Sequence, residues 1–300
     1  MPDKPVLDPK TAKILPWVVA IAFFMQMLDS TILNTALPAM AHDLGTNPLR
    51  MQSVIISYML TVALVIPASG WLADKFGIKQ IFLFAIALFT LGSLACALSP
   101  SLNIIVGCRI LQGIGGALMV PVGRLVVLRA YPREQLVSVL SFITIPGLVG
   151  PLIGPTLGGF LVQYASWHWI FLINIPVGII GILATLKYMP YLTRGGDLHP
   201  FDTVGFLLFG TFMLTITLGL QGIGELHLAY APMVLMMVFG LVCLVGYVMY
   251  SRWHPMPLFS PDLFKVRNFS VGILGNLFAR LGNGAMPFLT PLLLQIGMGY

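Results

Sequence analysis

Charge is scarce in this chain. Aspartate, glutamate, lysine and arginine together make up 9% of its 300 residues, where a soluble domain carries about 25%. Polar links between its apolar runs are short, which leaves no room for a folded domain in water. Cysteine is scarce too: Cys96, Cys108 and Cys243 have no paired spacing, which argues against a disulfide framework or a zinc site. They read as small apolar residues. The five histidines, His42, His168, His199, His227 and His254, fall in links or at the ends of apolar runs. No metal site, resident cofactor or nucleophilic catalytic cluster is expected, so an enzyme is not the reading.

What the chain has instead is length after length of hydrocarbon. It is 58% hydrophobic, with a mean hydropathy of +0.94. Apolar stretches of about 20 residues, enough to cross roughly 30 Å of lipid, recur along it. Nine spans are expected, at about 14–40, 52–72, 80–98, 102–127, 137–161, 167–188, 203–222, 229–250 and 269–295. A β-barrel would need alternating ten-residue segments, and these runs are continuous. The fold class is therefore an all-α polytopic membrane protein, with the lipid bilayer as its surroundings. Ala39-Met40-Ala41 imitates a signal-peptide cleavage site, yet the preceding apolar stretch is too long and is interrupted by Asp29, so an uncleaved first helix is expected.

Orientation follows from the 16 basic residues. Lys4, Lys10, Lys13, Lys75, Lys79, Arg124, Arg129, Arg133, Lys187, Arg194, Arg252, Lys265 and Arg267 all fall on one side. The opposite side has Arg50, and Arg109 and Arg280 lie inside spans. This places the N-terminus in the cytoplasm. The net charge of +6 is this topology signal and implies no nucleic-acid partner.

Ionisable residues inside a bilayer are costly and mark function by default. Asp29 shares an arc of roughly 140° with Gln26, Ser30 and Asn34, at 100° per residue, in a span that ends at Pro38. This polar stripe is either a hydrogen-bond cluster joining helices or the wall of a water-filled pathway in which Asp29 exchanges a proton. Arg109 shares one face of span 4 with Gln112, Gly113 and Gly116. At 1.5 Å per residue, Asp29 lies roughly 16 Å from the outer end of its span and Arg109 roughly 10 Å from the outer end of its own. Those depths let Arg109 reach the carboxylate in a shared cavity. Arg109 nearby would hold Asp29 ionised, and a movement separating them would let it take a proton; a static neutralising pair is the plainer alternative. Arg280, in line with Asn276, Asn283 and Pro287, has no evident acidic partner; contact with substrate is one reading of it.

Glycine and proline are abundant where helices should not tolerate them. Residues 147–161 read GLVGPLIGPTLGGFL. Gly150, Gly154 and Gly158 recur every four residues, a strip that lets a second helix approach closely. Gly147 and Gly159 flank the strip, and Pro151 and Pro155 predict a bend. Between spans 2 and 3, Gly70-Trp71-Leu72-Ala73-Asp74-Lys75-Phe76-Gly77-Ile78-Lys79 reads as a tight loop, with Asp74 placed to cap the following helix.

Together these segments resemble the major facilitator superfamily of secondary transporters. The 70–79 loop resembles its cytoplasmic signature, with Ile78 where a basic residue is commoner. Residues 105–117 are similar to its span-4 motif, whose arginine is assigned to proton transfer, and the Gly/Pro run resembles the span-5 motif of antiporters. Leu28 to Pro38 and Trp167 to Pro176 resemble span-1 and span-6 signatures of the 14-span drug:proton antiporters, the EmrB/QacA group. Two spans following span 6 after short links also argue for that branch.

The resemblance implies a cytoplasmic tail (1–13), a six-helix bundle (14–188), a link with two linking spans (189–250), and a loop with the first span of a second bundle (251–300). Against a usual family length, the chain reads as truncated. It implies proton-driven export of lipophilic compounds, cationic ones included, across the bacterial inner membrane. The proton gradient is the energy source, and the partners are a small-molecule substrate and protons. Proton coupling falls to Asp29 and Arg109, and the substrate pathway to Gln26, Asn34, Gln112, Asn276 and Arg280. The conformational switch falls to Gly70, Asp74, Gly77 and the 147–159 run. Alternatives are a transport-inactive remnant or accessory membrane subunit, and uptake of a metabolite by the same fold. Substrate identity, and any periplasmic or outer-membrane efflux partner, are not legible.

Overall fold

The computed structural model describes residues 8–192, 200–224 and 230–292, with backbone alone at 223, 224 and 283–292. Every regular element among them is a helix, and eight helical segments are long and apolar enough to cross a membrane. Lys4 and Arg194 of the charge count, His199 and His227, and the side chains of Asn283 and Pro287 lie outside the described residues.

Proline decides where the spans break. Span 1 is α1 (Pro9–Ile32), a 3-10 turn at Leu33–Thr35, and α2 (Leu37–Asp43). Pro38 cannot donate to the Asn34 carbonyl, so the α-helical ladder is interrupted there. Span 2 is divided in the same way, into α3 (Gln52–Val65) and α4 (Ser69–Phe76), by a turn that contains Pro67. Span 6 divides into α8 (His168–Leu172) and α9 (Asn174–Tyr188), where Pro176 leaves the Leu172 carbonyl without its helical donor. By contrast α5 (Ile78–Ala97), α6 (Leu102–Ala130) and α7 (Arg133–Tyr164) are unbroken. In α7 the helix continues through Pro146, Pro151 and Pro155. The linking pair is α10 (Thr203–Gly224) and α11 (Tyr230–Trp253), and α12 (Arg267–Leu292) follows. The last residues of the expected ninth span lie outside the described ones.

Helix α1 is the hub, packed against α6, α7 and α9; α5 lies against α6 and α9, and α3 against α6. The linking pair leans on the bundle through α10 and α3, whereas α12 rests mainly against the 3-10 turn at Pro261–Lys265. Two apolar cores fill the bundle. One holds Val19, Phe23 and Met25 of α1 with Tyr58, Phe82, Phe89 and Leu118. The other holds Leu28, Ile32 and Leu33 with Val54, Cys96, Ile105 and Phe171. Each bundle helix passes from one core to the other, and the buried polar residues sit at the crossing.

Asp74 does not cap the following helix, as its place before Gly77 suggested. It belongs to the last turn of α4, whose chain reverses at Gly77 with φ at +90°, so its carboxylate faces α6 instead. A side chain at Gly77 would be strained in that left-handed conformation.

Candidate functional site: a buried ion pair and its amide shell

Asp29 and Arg109 meet. Arg109 Nη1 donates to Asp29 Oδ2 at 2.6 Å, and each side chain is 1% exposed. The same nitrogen donates to Gln112 Oε1 at 2.7 Å, and Arg109 Nε donates to the Val54 carbonyl at 3.3 Å. The guanidinium lies 4.2 Å from the centre of the Tyr58 ring, a cation–π contact strengthened by the lack of water. On the other carboxylate oxygen, Asp29 Oδ1 accepts from Gln112 Nε2 at 2.9 Å and from Asn174 Nδ2 at 3.2 Å. Ser93 Oγ accepts from Asn174 Nδ2 at 2.9 Å and Gln112 Nε2 at 3.4 Å, and donates to the Phe171 carbonyl at 3.0 Å. Six helices (α1, α3, α5, α6, α8 and α9) thus converge on one carboxylate.

Sequence periodicity found three members of this cluster: Asp29, Arg109 and Gln112. Gln26 is buried one turn earlier, beside the Tyr58 hydroxyl. Asn34 is exposed in the 3-10 turn, outside the cluster. Asn276 and Arg280 are exposed on α12, apart from it. Tyr58, Ser93 and Asn174 were missed. A hydroxyl or an amide in an apolar helix is a weak signal by itself. Asn174 had a stronger one, since it opens α9 two residues before Pro176.

The strip of small residues on α7 does admit a second helix, and that helix is α1. A Cβ on Gly150 would stand 2.8 Å from the Leu28 amide nitrogen, on Gly154 3.2 Å from that of Ile32, and on Gly158 2.7 Å from the Ile32 carbonyl. Thr31 and Thr35 face the last two glycines, their hydroxyls turned back onto carbonyls of their own helix. Gly147 approaches Met27 and Phe23 more loosely, whereas Gly159 is open and Pro151 and Pro155 are exposed. The residues pressed together are therefore those flanking Asp29.

Polar ties close the end of the bundle that the basic residues mark. Arg129 Nη2 donates to Asp74 Oδ1 at 2.5 Å across α6 and α4. Lys79, buried, donates to the Leu186 carbonyl in the last turn of α9 at 2.8 Å, where a cation complements the helix dipole. Tyr131 donates to the Ala12 carbonyl at 2.6 Å, and burial pushes its phenol up to about 12. Gly70 is exposed with nothing near it. At the opposite end, Trp167 Nε1 donates to Asp43 Oδ2 at 2.8 Å.

A family model for the Major Facilitator Superfamily matches residues 19–300. The chain belongs to the Major Facilitator Superfamily. It is a multi-pass membrane protein of a transporter family rather than an enzyme. Among curated relatives of this superfamily member, "Putative multidrug resistance protein MdtD" of Yersinia enterocolitica is 54% identical over 288 residues. The protein of the same name from Escherichia coli O1:K1 / APEC is 56% identical over 287 residues. Each alignment covers 95% of this chain and 60% of the relative, so the chain spans about 60% of the length of the curated relatives it matches. Among solved superfamily folds, a bacterial homolog of the human lysosomal transporter Spinster, inward-facing and unoccupied, aligns with a TM-score of 0.51. That match has 18% identity and covers 71% of this chain and 52% of the other. A peptide transporter POT in complex with sulfate aligns at 0.59 with 15% identity, covering 82% and 53%. At such identities the likeness concerns the fold.

Proposed function

We propose that this chain serves proton-driven export, exchanging protons that move inward for lipophilic compounds, cations among them, that move out across the bacterial inner membrane. The observation that carries the reading is the Asp29–Arg109 ion pair, 2.6 Å long and sealed from solvent. A charge pair kept inside hydrocarbon is a costly way to join helices, and its carboxylate can be neutralised by one proton. Separating Arg109 from Asp29 and protonating the latter is then a single coupled event. Relatives that carry a multidrug resistance name support an outward direction and a drug-like substrate class. Gln26 and Asn34 on span 1, with Asn276 and Arg280 on α12, are the proposed lining of the substrate pathway. Gln112 has its amide wholly engaged with Asp29, Arg109 and Ser93, so its part lies with the proton site. The distribution of basic residues supports an N-terminus in the cytoplasm.

Ethidium efflux from energised cells tests the reading. Asp29→Asn, expressed at the same level, is expected to abolish gradient-driven efflux; retained efflux would refute proton coupling at this residue. A second reading, a membrane-resident remnant or accessory subunit, draws on the 60% coverage of the relatives. Efflux from a chain of the relatives' length but not from residues 1–300 would favour it.

A further inference from the structure

The two oxygens of Asp29 are held differently. Oδ1 accepts two neutral amide donors, from Gln112 and Asn174, while Oδ2 accepts from Arg109. Both amides are themselves oriented. The Ser93 hydroxyl gives its hydrogen to the Phe171 carbonyl, so it meets Gln112 Nε2 and Asn174 Nδ2 as an acceptor only. An amide turned the other way would set its oxygen against both the carboxylate and the Ser93 lone pairs. Gln112 is pinned a second time, because its oxygen accepts from Arg109. Asn174 has Ser93 as the group that fixes which way its amide points.

We propose that Ser93 and Asn174 are positioning residues that lock Oδ1 of Asp29 behind amide donors, so that the exchangeable proton goes on and off Oδ2, the oxygen that Arg109 covers. Proton entry is then tied to departure of the guanidinium and does not occur beside it. Asn174 supplies one of the two N–H donors that occupy Oδ1. The charged and titratable groups facing the site are Arg109 from α6, Tyr58 from α3, and Cys96 of α5, whose sulfur lies 3.9 Å from Gln112 Oε1. Helix α7 presents glycines to α1, α8 the Phe171 carbonyl, and α9 Asn174. The identity of this proton as the coupling proton rests on the exporter reading; its placement on Oδ2 does not.

Dicyclohexylcarbodiimide labels protonated carboxyls in membranes, and mass spectrometry of the Asp29 peptide reads the labelled fraction against pH. In membranes holding the 300-residue chain, Asn174→Leu keeps the volume and removes the donor, and is expected to move the labelling midpoint upward by about one pH unit, the size of one charge-assisted donor. Ser93→Ala should move it in the same direction by less, because Arg109 still orients Gln112. A midpoint unchanged in a folded N174L chain, or a downward shift, would overturn the proposal. Where N174L lowers the amount of folded protein, S93A supplies the same measurement, and a change in stability with no shift would mark both residues as glue. Normal efflux in D29N together with a shifted midpoint in N174L would refute proton coupling at Asp29 and leave this inference standing.

Discussion

Replacing Asp29 by Asn removes one charge from a pair that no water reaches. Arg109 would keep the Gln112 oxygen, the Val54 carbonyl and the Tyr58 ring as partners, all of them neutral. An uncompensated guanidinium in such a site costs about 3–5 kcal/mol, and arginine cannot escape by losing its proton. Arg109→Gln strands the carboxylate instead, but a carboxylate can neutralise itself by taking a proton. The first loss should therefore exceed the second. The double variant has no charge to strand and should recover more than half of the loss of D29N, leaving a coupling of at least about 2 kcal/mol. Thermal unfolding in detergent, followed by monodisperse elution, measures this as a melting shift on the order of 10 °C for D29N that the double variant largely reverses. Stability losses that simply add would refute the reasoning, because the pair would then contribute nothing through mutual compensation. None of the three variants should couple efflux to the gradient.

The α7 strip makes a sharp contrast. Gly150→Ala places a methyl 2.8 Å from the Leu28 nitrogen and should cost about 1–3 kcal/mol in the same assay, while Gly159→Ala, which meets nothing, should be neutral or stabilising by up to about 1 kcal/mol. Asp74→Asn breaks a partly exposed ion pair, so stability should fall by less than about 1 kcal/mol. Efflux should fall more, and the swap Asp74→Arg with Arg129→Asp should restore part of it. Tyr131, raised to about 12 by burial, contributes stability that is whole below about pH 10, the ordinary tyrosine value, and is lost as pH rises through about 12. Absorbance titration of tyrosinate should show a late-titrating component that Tyr131→Phe reduces by one group.

The span pattern was legible because hydropathy writes it directly, and the ion pair because two charges in hydrocarbon at matching depths have few partners to choose from. The amide shell was not. Ser93 and Asn174 belong to α5 and α9, and only tertiary packing brings residues this far apart in sequence to one carboxylate. Span breaks at Pro38, Pro67 and Pro176 follow from the missing proline N–H. The same chemistry did not break α7, where neighbouring helices and the bilayer sustain the ladder. Asp74 was misjudged for a local reason: its distance from Gly77 suits a cap, but the chain reverses at Gly77 and turns Asp74 toward Arg129.

The Gly/Pro run was expected to be part of the conformational switch, and the packing favours a seal over a moving hinge. Over three successive turns, α7 meets α1 so closely that a single added carbon would touch backbone or hydroxyl. Helices interlocked at that range cannot slide past one another; they must first lift apart and lose their contacts together. Movement is cheaper at boundaries where the packing is looser than along this one. A disulfide between Cys residues placed at Thr35 and Gly158 tests this. A Cβ at 158 would touch the Thr35 side chain, which is within reach of a bond that needs Cβ atoms about 3.8 Å apart. The crosslink should form under mild oxidation and leave efflux by a transport-competent chain no lower than in the reduced double variant, because it ties two helices that move as one. Efflux that stops on oxidation and returns on reduction would show that α1 and α7 part during the cycle, and that Asp29 is uncovered from the α7 side rather than by withdrawal of Arg109.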